Sequence, residues 1–213
     1  MRNFESVEQP LIYLITDGET TAENFIEKKR KTLELIETAV QSKISFIQIR
    51  EKQISARLVF ELASEVAELT RHTATKLLVN DRADIALAAK ADGVHLTKQS
   101  LSADVIRKKF PKDFIVGVSA HSIEQALYAQ QQGADFVTFS PIFFSPGKGA
   151  PQGIEKLREV CARLKNFPII ALGGINAANL ADTLTAGASG FAAIRFLNDK
   201  ENLKKLFAIS RRS

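Results

Sequence analysis

Eight short apolar runs alternate with longer amphipathic stretches from one end of this chain to the other, and few architectures accommodate that pattern. The runs are Leu11 to Thr16, Phe46 to Glu51, Lys76 to Asn80, Gly93 to Leu96, Ile115 to Ser119, Phe136 to Ser140, Ile169 to Leu172 and Gly190 to Ile194. They are predicted strands, and helices are predicted in the gaps. Ser55, Ser102, Ser122 and Asn176 are predicted N-caps, with Glu124 placed to favour the positive end of the helix that follows Ser122. Asp92-Gly93, Gln132-Gly133 and Ala186-Gly187 supply the turns from helix back to strand. Eight such units within 213 residues fit a compact α/β chain, a single-domain (β/α)8 TIM barrel near the lower size limit of that fold. A doubly wound open sheet is the alternative. It is disfavoured in its dinucleotide-binding form, because Thr16-Asp17-Gly18-Glu19 follows the first strand in place of Gly-x-Gly-x-x-Gly.

Composition adds bounds. At 45% hydrophobic and 25% charged the chain reads as an ordinary globular protein, and no linker or change of composition divides residues 1–213, so one domain is expected. Lys and Arg number 29 against 24 Asp and Glu, a net charge of +5 that favours anionic metabolites. The basic clusters Lys28-Lys29-Arg30-Lys31, Arg107-Lys108-Lys109 and Arg211-Arg212 lack interleaved aromatics and read as solvated helix faces, so no nucleic-acid partner is expected. Cys161, the single cysteine, excludes an internal disulfide and reads as a buried structural thiol. Met1 to Pro10 holds no apolar leader core, and no stretch approaches a membrane span; a cytoplasmic protein without a membrane partner is expected. Whether it acts alone or as a homo-oligomer is left open.

In a barrel of this kind the active site lies at the C-terminal ends of the strands, so the polar residues that close each apolar run are the candidates. The second run carries the densest set. In Phe46-Ile47-Gln48-Ile49-Arg50-Glu51-Lys52, alternation sends Gln48, Arg50 and Lys52 to one face and Ile47 and Ile49 to the other. An amide and two cations on one edge suit an oxygen-rich anion; a solvated edge strand is the plainer reading. Strand three closes with Asn80-Asp81-Arg82, strand four with His95, strand five with Ser119 and His121, strand six with Ser140, strand seven with Gly173-Gly174 and strand eight with Arg195. Asp81 and Arg82 could equally pair with each other, Asp84 reads as a helix-start residue, and His95 and His121 could each be core histidines. His72 reads as structural, and Asp92 as the holder of a turn away from the site. The turn-rich loop Pro141 to Gly149 presents Lys148 where a closing flap would bring a charge onto a phosphate, although a plain surface lysine fits the same place. Gly173 and Gly174 would let backbone amides approach a second phosphate.

These residues resemble the thiamin phosphate synthases and their relatives, the TenI-type thiazole tautomerases. The resemblance runs over nearly the whole chain. It is carried by Gln48-Ile49-Arg50-Glu51-Lys52, Asn80-Asp81-Arg82-Ala83-Asp84, Ala91-Asp92-Gly93-Val94-His95-Leu96, Gly117-Val118-Ser119-Ala120-His121, Pro141-Ile142-Phe143 with Lys148, and Ala171-Leu172-Gly173-Gly174-Ile175. It implies a (β/α)8 fold and a transfer in which a hydroxymethylpyrimidine diphosphate loses pyrophosphate to the ring nitrogen of a thiazole phosphate. It also implies that Gln48, Arg50, Lys52, Asn80 and Lys148 hold the diphosphate, that Asp81 ligates Mg²⁺, and that Ser119 meets the pyrimidine amino group.

Three departures from the family pattern stand out. Thr97-Lys98-Gln99-Ser100 replaces the usual Gly-Gln-x-Asp, so a second Mg²⁺ carboxylate is missing and Lys98 could supply part of the lost charge balance. The flap has Ser145 and Gly147 in place of two threonines, Ser145 keeping a hydroxyl for phosphate binding. Arg195 stands where a small Ser is usual, either as a phosphate ligand or as a group that fills the pocket. A synthase with an altered metal site is the leading expectation. A tautomerase that uses His121 and needs no Mg²⁺, and a non-catalytic barrel that binds a thiamin-related phosphate, are the alternatives.

Overall fold

The computed structural model describes residues 9–210, with side chains as far as residue 206. Arg211-Arg212 and most of the Met1 to Pro10 segment lie outside the described residues. The first half of the element order is β1 (Leu11–Ile15), α1 (Phe25–Gln41), β2 (Phe46–Ile49), α2 (Ala56–Thr70), β3 (Lys76–Asn80), α3 (Ala83–Ala88), β4 (Gly93–Leu96) and α4 (Ala103–Lys109). It continues with β5 (Ile115–Ala120), α5 (Ile123–Gln131), β6 (Phe136–Phe139), α6 (Gly153–Arg163), β7 (Ile169–Leu172), α7 (Leu180–Thr185), β8 (Gly190–Ala193) and α8 (Lys200–Ser210). The strands follow one another in sequence order around a closed barrel, β1 to β8. This is the (β/α)8 architecture that the eightfold alternation predicts, and the open-sheet alternative is excluded.

The strands are short because each is buried on both faces, so that few polar residues can interrupt them. All four residues of β2 are buried, and β2 pairs in parallel with both β1 and β3, which rules out the edge-strand reading. β1, β2, β6 and β8 end one or two residues earlier than predicted, and the reason is visible at β2. Arg50 N donates to the Thr16 hydroxyl (2.9 Å) instead of a neighbouring carbonyl, and the ladder stops there. No described helix is long and apolar enough to cross a membrane.

The chain divides into two compact units. In the unit comprising Tyr13–Val94 and Ile194–Ser213, Lys29 of α1 reaches Glu61 (2.8 Å) and Glu65 (2.7 Å) of α2, and Lys200 reaches Glu34 (2.9 Å). Asp92 accepts from Leu77 N and Lys76 Nζ, 2.9 Å each, and so holds the turn into β4 as expected. In the unit comprising Met1–Ile12 and His95–Ala193, Arg107 donates to Gly133 O (2.6 Å) and Phe114 O (2.5 Å) and pairs with Asp135, whose carboxylate also accepts from Val116 N (2.7 Å).

Arg107 therefore corrects its reading as part of a solvated face. It is a partly buried staple across α4, β5 and the turn before β6. Lys28 is likewise neutralised, by Asp17 (3.2 Å) and Glu19 (2.8 Å), and Glu19 chiefly raises its pKa. Ser55 and Ser122 cap their helices as predicted, accepting from Leu58 N and Gln125 N. Ser102 instead donates to Asp104, and α7 starts at Leu180 with Asn179 in the cap position, while Asn176 spends its side chain on Ala178 N (2.9 Å) in a preceding turn.

Candidate active site

At the exit of β2, Gln48, Arg50 and Lys52 differ in depth. Gln48 is 1% exposed, and its Nε2 donates to the Tyr13 hydroxyl (2.7 Å). Burial pushes the Tyr13 phenol far above its ordinary pKa, against a smaller opposing effect of Gln48, so Tyr13 stays neutral. Arg50 is half-buried and Lys52 is exposed. Among the described residues neither makes an ion pair. The same holds for Arg195, exposed just beyond β8.

The end of β3 settles the ambiguity at Asp81-Arg82. Arg82 turns away and forms a two-point pair with Asp84, Nε to Oδ1 at 2.9 Å and Nη2 to Oδ2 at 2.6 Å, which holds the Asp84 carboxyl below its ordinary range. Asp81 occupies the left-handed region at φ +59, which Asp tolerates better than most residues, and its Oδ2 accepts from Asn80 Nδ2 (2.7 Å). Asn80 thus orients the one acidic candidate for a metal. Among the described residues no three His, Cys, Asp or Glu side chains cluster as a metal cage.

In the other unit, His95 is 3% exposed, and its Nε2 lies 3.0 Å from Ser119 Oγ and 3.4 Å from Thr138 Oγ1. With the ring proton on Nδ1, both hydroxyls donate to Nε2, and Ser119 presents its lone pairs outward as acceptors. Gly117 makes room for this arrangement: a Cβ there would fall 2.8 Å from His95 Nδ1 and 2.4 Å from the Phe136 ring. His121 is exposed, and its Nδ1 lies 2.8 Å from Ser140 O. A carbonyl only accepts, so Nδ1 carries a proton, and a ring with that single proton has its lone pair on Nε2.

Lys148 is exposed on the β6–α6 loop, in a turn closed by its own N–H on Ser145 O (3.1 Å). It too has no ion pair among the described residues. Gly173 and Gly174 hold φ of +103 and +68. A Cβ at Gly173 would sit 2.8 Å from Pro141, and one at Gly174 would sit 2.6 Å from Phe144 O, so the pair first serves to let this loop pack against the end of β7. Ser100 donates its N–H to Thr97 O (3.0 Å) and accepts from Thr97 N (2.7 Å), closing a local turn where the family pattern has a carboxylate.

Sequence reasoning passed over Tyr13, Thr138 and Glu51. Each was detectable as a polar residue in or beside an apolar run. Glu51 lies on the Ile47 and Ile49 side of the β2 exit and is 7% exposed.

The exit of β2 carries cations without carboxylate partners among the described residues, a feature that suits an enzyme acting on phosphorylated small molecules. The chain belongs to the thiamine monophosphate synthase family, whose model matches residues 12–197. It is 42% identical over 168 residues to the thiamine-phosphate synthase of Moorella thermoacetica, covering 78% of this chain and 80% of that one. It is 36% identical over 196 residues to the thiamine-phosphate synthase of Clostridium tetani, covering 91% and 90%. Among solved structures, a thiamine phosphate pyrophosphorylase from Pyrococcus furiosus matches with a TM-score of 0.78 at 30% identity, over 93% of this chain and 96% of that one.

Proposed function

We propose that the protein is a thiamin phosphate synthase, a transferase that joins a hydroxymethylpyrimidine diphosphate to a thiazole phosphate and releases pyrophosphate. The observation that carries this reading is the set of strand-exit cations, Arg50, Lys52, Lys148 and Arg195, that have no carboxylate partner among the described residues. By contrast Lys28, Lys29 and Arg107 are paired. Unpaired cations in this position suit a substrate that brings its own negative charge.

Arg50, Lys52 and Lys148, with Asn80, hold the diphosphate. The leaving group gains charge as its bond to the pyrimidine methylene breaks, so cations fixed in advance stabilise the transition state more than the substrate. Gln48 reaches the substrate from deep in β2, oriented by Tyr13. Ser119, oriented by His95, accepts from the pyrimidine amino group, and the electron release of that ring supports the cation left behind. Ser145 and the backbone at Gly173 and Gly174 bind the thiazole phosphate, with Arg195 in place of a neutral hydroxyl. Mg²⁺ fits the donor set: one carboxylate, Asp81, is enough for an ion that takes its other ligands from water and phosphate oxygens. When bound, the ion neutralises charge on the diphosphate. The substrates are small phosphorylated molecules, and the cytoplasm is the compartment that suits such a biosynthetic step.

Thiamin phosphate formation from the two substrates and Mg²⁺, followed as fluorescent thiochrome after oxidation, tests the reading. Product that disappears with a chelator is expected. Absence of product beside an active control enzyme would refute it. One observation favours a second reading: the proton on His121 Nδ1 leaves Nε2 able to move a proton, as a thiazole tautomerase requires. Asp81→Ala separates the two. Synthase activity should fall by about 100-fold or more, whereas tautomerase activity should change little.

A further inference from the structure

The segment between β1 and α1 is tied to the exit of β2 along its length. Thr16 N donates to Gln48 O (3.0 Å), and the Thr16 hydroxyl accepts from Arg50 N (2.9 Å). Gln53 Nε2 donates to Gly18 O (3.0 Å), and Thr20 N donates to Glu51 Oε2 (3.2 Å). Two features of this clamp go beyond what holding the fold together requires. Glu51 is 7% exposed, yet its Oε1 has no hydrogen-bond partner among the described residues. A buried carboxylate oxygen without a donor is costly, and a side chain chosen for stability alone would avoid it. Gly18 holds φ +78, and a Cβ there would lie 3.0 Å from Arg50 Nη1 and 3.1 Å from Arg50 O. The missing side chain is what allows the loop backbone to lie against the guanidinium.

We propose that residues 16–20 form a wall that aims Arg50, with Gly18 setting the place of its guanidinium and Glu51 anchoring the wall from beneath. Both are positioning residues. The inference rests on the reading of Arg50 as a diphosphate ligand. It follows from the chemistry of the two cations at this exit. A planar guanidinium binds phosphate oxygens through a fork whose orientation matters, whereas the Lys52 ammonium acts as a point charge on a flexible stem. A wall therefore benefits Arg50 in particular, and Arg50 is the cation that the wall touches.

The test measures the affinity of the full chain for inorganic pyrophosphate with Mg²⁺ by calorimetry, alongside KM for each substrate. Gly18→Ala and Arg50→Ala should each weaken pyrophosphate about tenfold, with the KM of the thiazole phosphate unchanged. The double variant should bind no more weakly than Arg50→Ala alone, because the added methyl then has no guanidinium to displace. Gly133→Ala is the control. It imposes a similar strain at φ +88 against Arg107 and should lower Tm without altering pyrophosphate affinity.

Should Gly18→Ala not fold, Gln53→Ala removes one exposed strut and should weaken pyrophosphate about threefold at an unchanged Tm. Glu51→Ala should weaken it as well, and Glu51→Gln, which still offers an oxygen to Thr20 N, should restore it. Additive losses in the double variant, or unchanged affinity in both Gly18→Ala and Gln53→Ala, would overturn the positioning role while leaving Arg50 as a ligand. Unchanged affinity in Arg50→Ala would remove the ligand role, and the wall with it.

Discussion

Cys161 and Asp81 illustrate how far a residue's chemistry is set by the folded backbone around it. Burial pushes the Cys161 thiol up to about 11 from its ordinary 9.0, because the thiolate would lose its hydration. The folded state then holds this proton at pH values where the unfolded chain has released it. Stability attributable to Cys161 is therefore intact below about pH 9 and is lost as the pH rises towards 11. Denaturant unfolding of the wild type and Cys161→Ala at several pH values should show the wild type declining more steeply in that window, and alkylation at pH 7.5 should be slow. Helical spacing around Leu157 and Val160 predicts a buried thiol, and the structure leaves it half-buried. The partner of Asp81 was not legible in the same way, since Arg82 is adjacent in sequence and opposite in charge. The left-handed backbone at Asp81 turns the two apart, sending Arg82 to Asp84 and Asp81 to Asn80. No pattern of residue types encodes that turn.

The elements themselves were legible because their signal is local. A run of four or five apolar residues between turn signals is too short for a helix, and double-sided burial in a parallel barrel leaves little room for another reading. β3, β4 and β7 coincide with their predicted bounds, and β5 runs one residue past its own. Where the second run overreaches, the Thr16 side chain takes over a hydrogen bond of the ladder. What one element does to another was less legible. In Arg107-Lys108-Lys109 only Arg107 turns inward, and it alone reaches the carbonyls of Phe114 and Gly133 and the Asp135 carboxylate. Arg107→Ala leaves that carboxylate partly buried, with only Val116 N to satisfy it. A loss of about 2–4 kcal/mol is expected in chemical denaturation. Lys108→Ala, which removes an exposed pair with Asp104, should cost less than about 0.5 kcal/mol.

At the level of the whole molecule, some cations are matched by carboxylates and others are not. The chain carries +5, yet many of its helical cations are spent on carboxylates: Lys28 on Asp17 and Glu19, Lys29 on Glu61 and Glu65, Lys200 on Glu34. Lys28 and Lys29 are each matched by two carboxylates, so these groups add no positive field at a distance. Arg50, Lys52, Lys148 and Arg195 have no such partners among the described residues; neither do Lys43, Lys90, Lys112 and Lys165, so the strand exits hold part of the uncompensated charge. The order of motifs along the chain marked where these residues would fall; their freedom from carboxylates required the folded arrangement of the helices. A field of this kind should draw a diphosphate in and should be screened by salt over a Debye length of about 10 Å at 0.1 M. Raising NaCl from 20 to 200 mM should therefore lower kcat/KM for the pyrimidine diphosphate by about five- to tenfold, mainly through KM. Arg50→Ala and Lys148→Ala should each flatten that salt dependence. A salt response as steep in Arg50→Ala and Lys148→Ala as in the wild type would place the attractive charge elsewhere on the molecule.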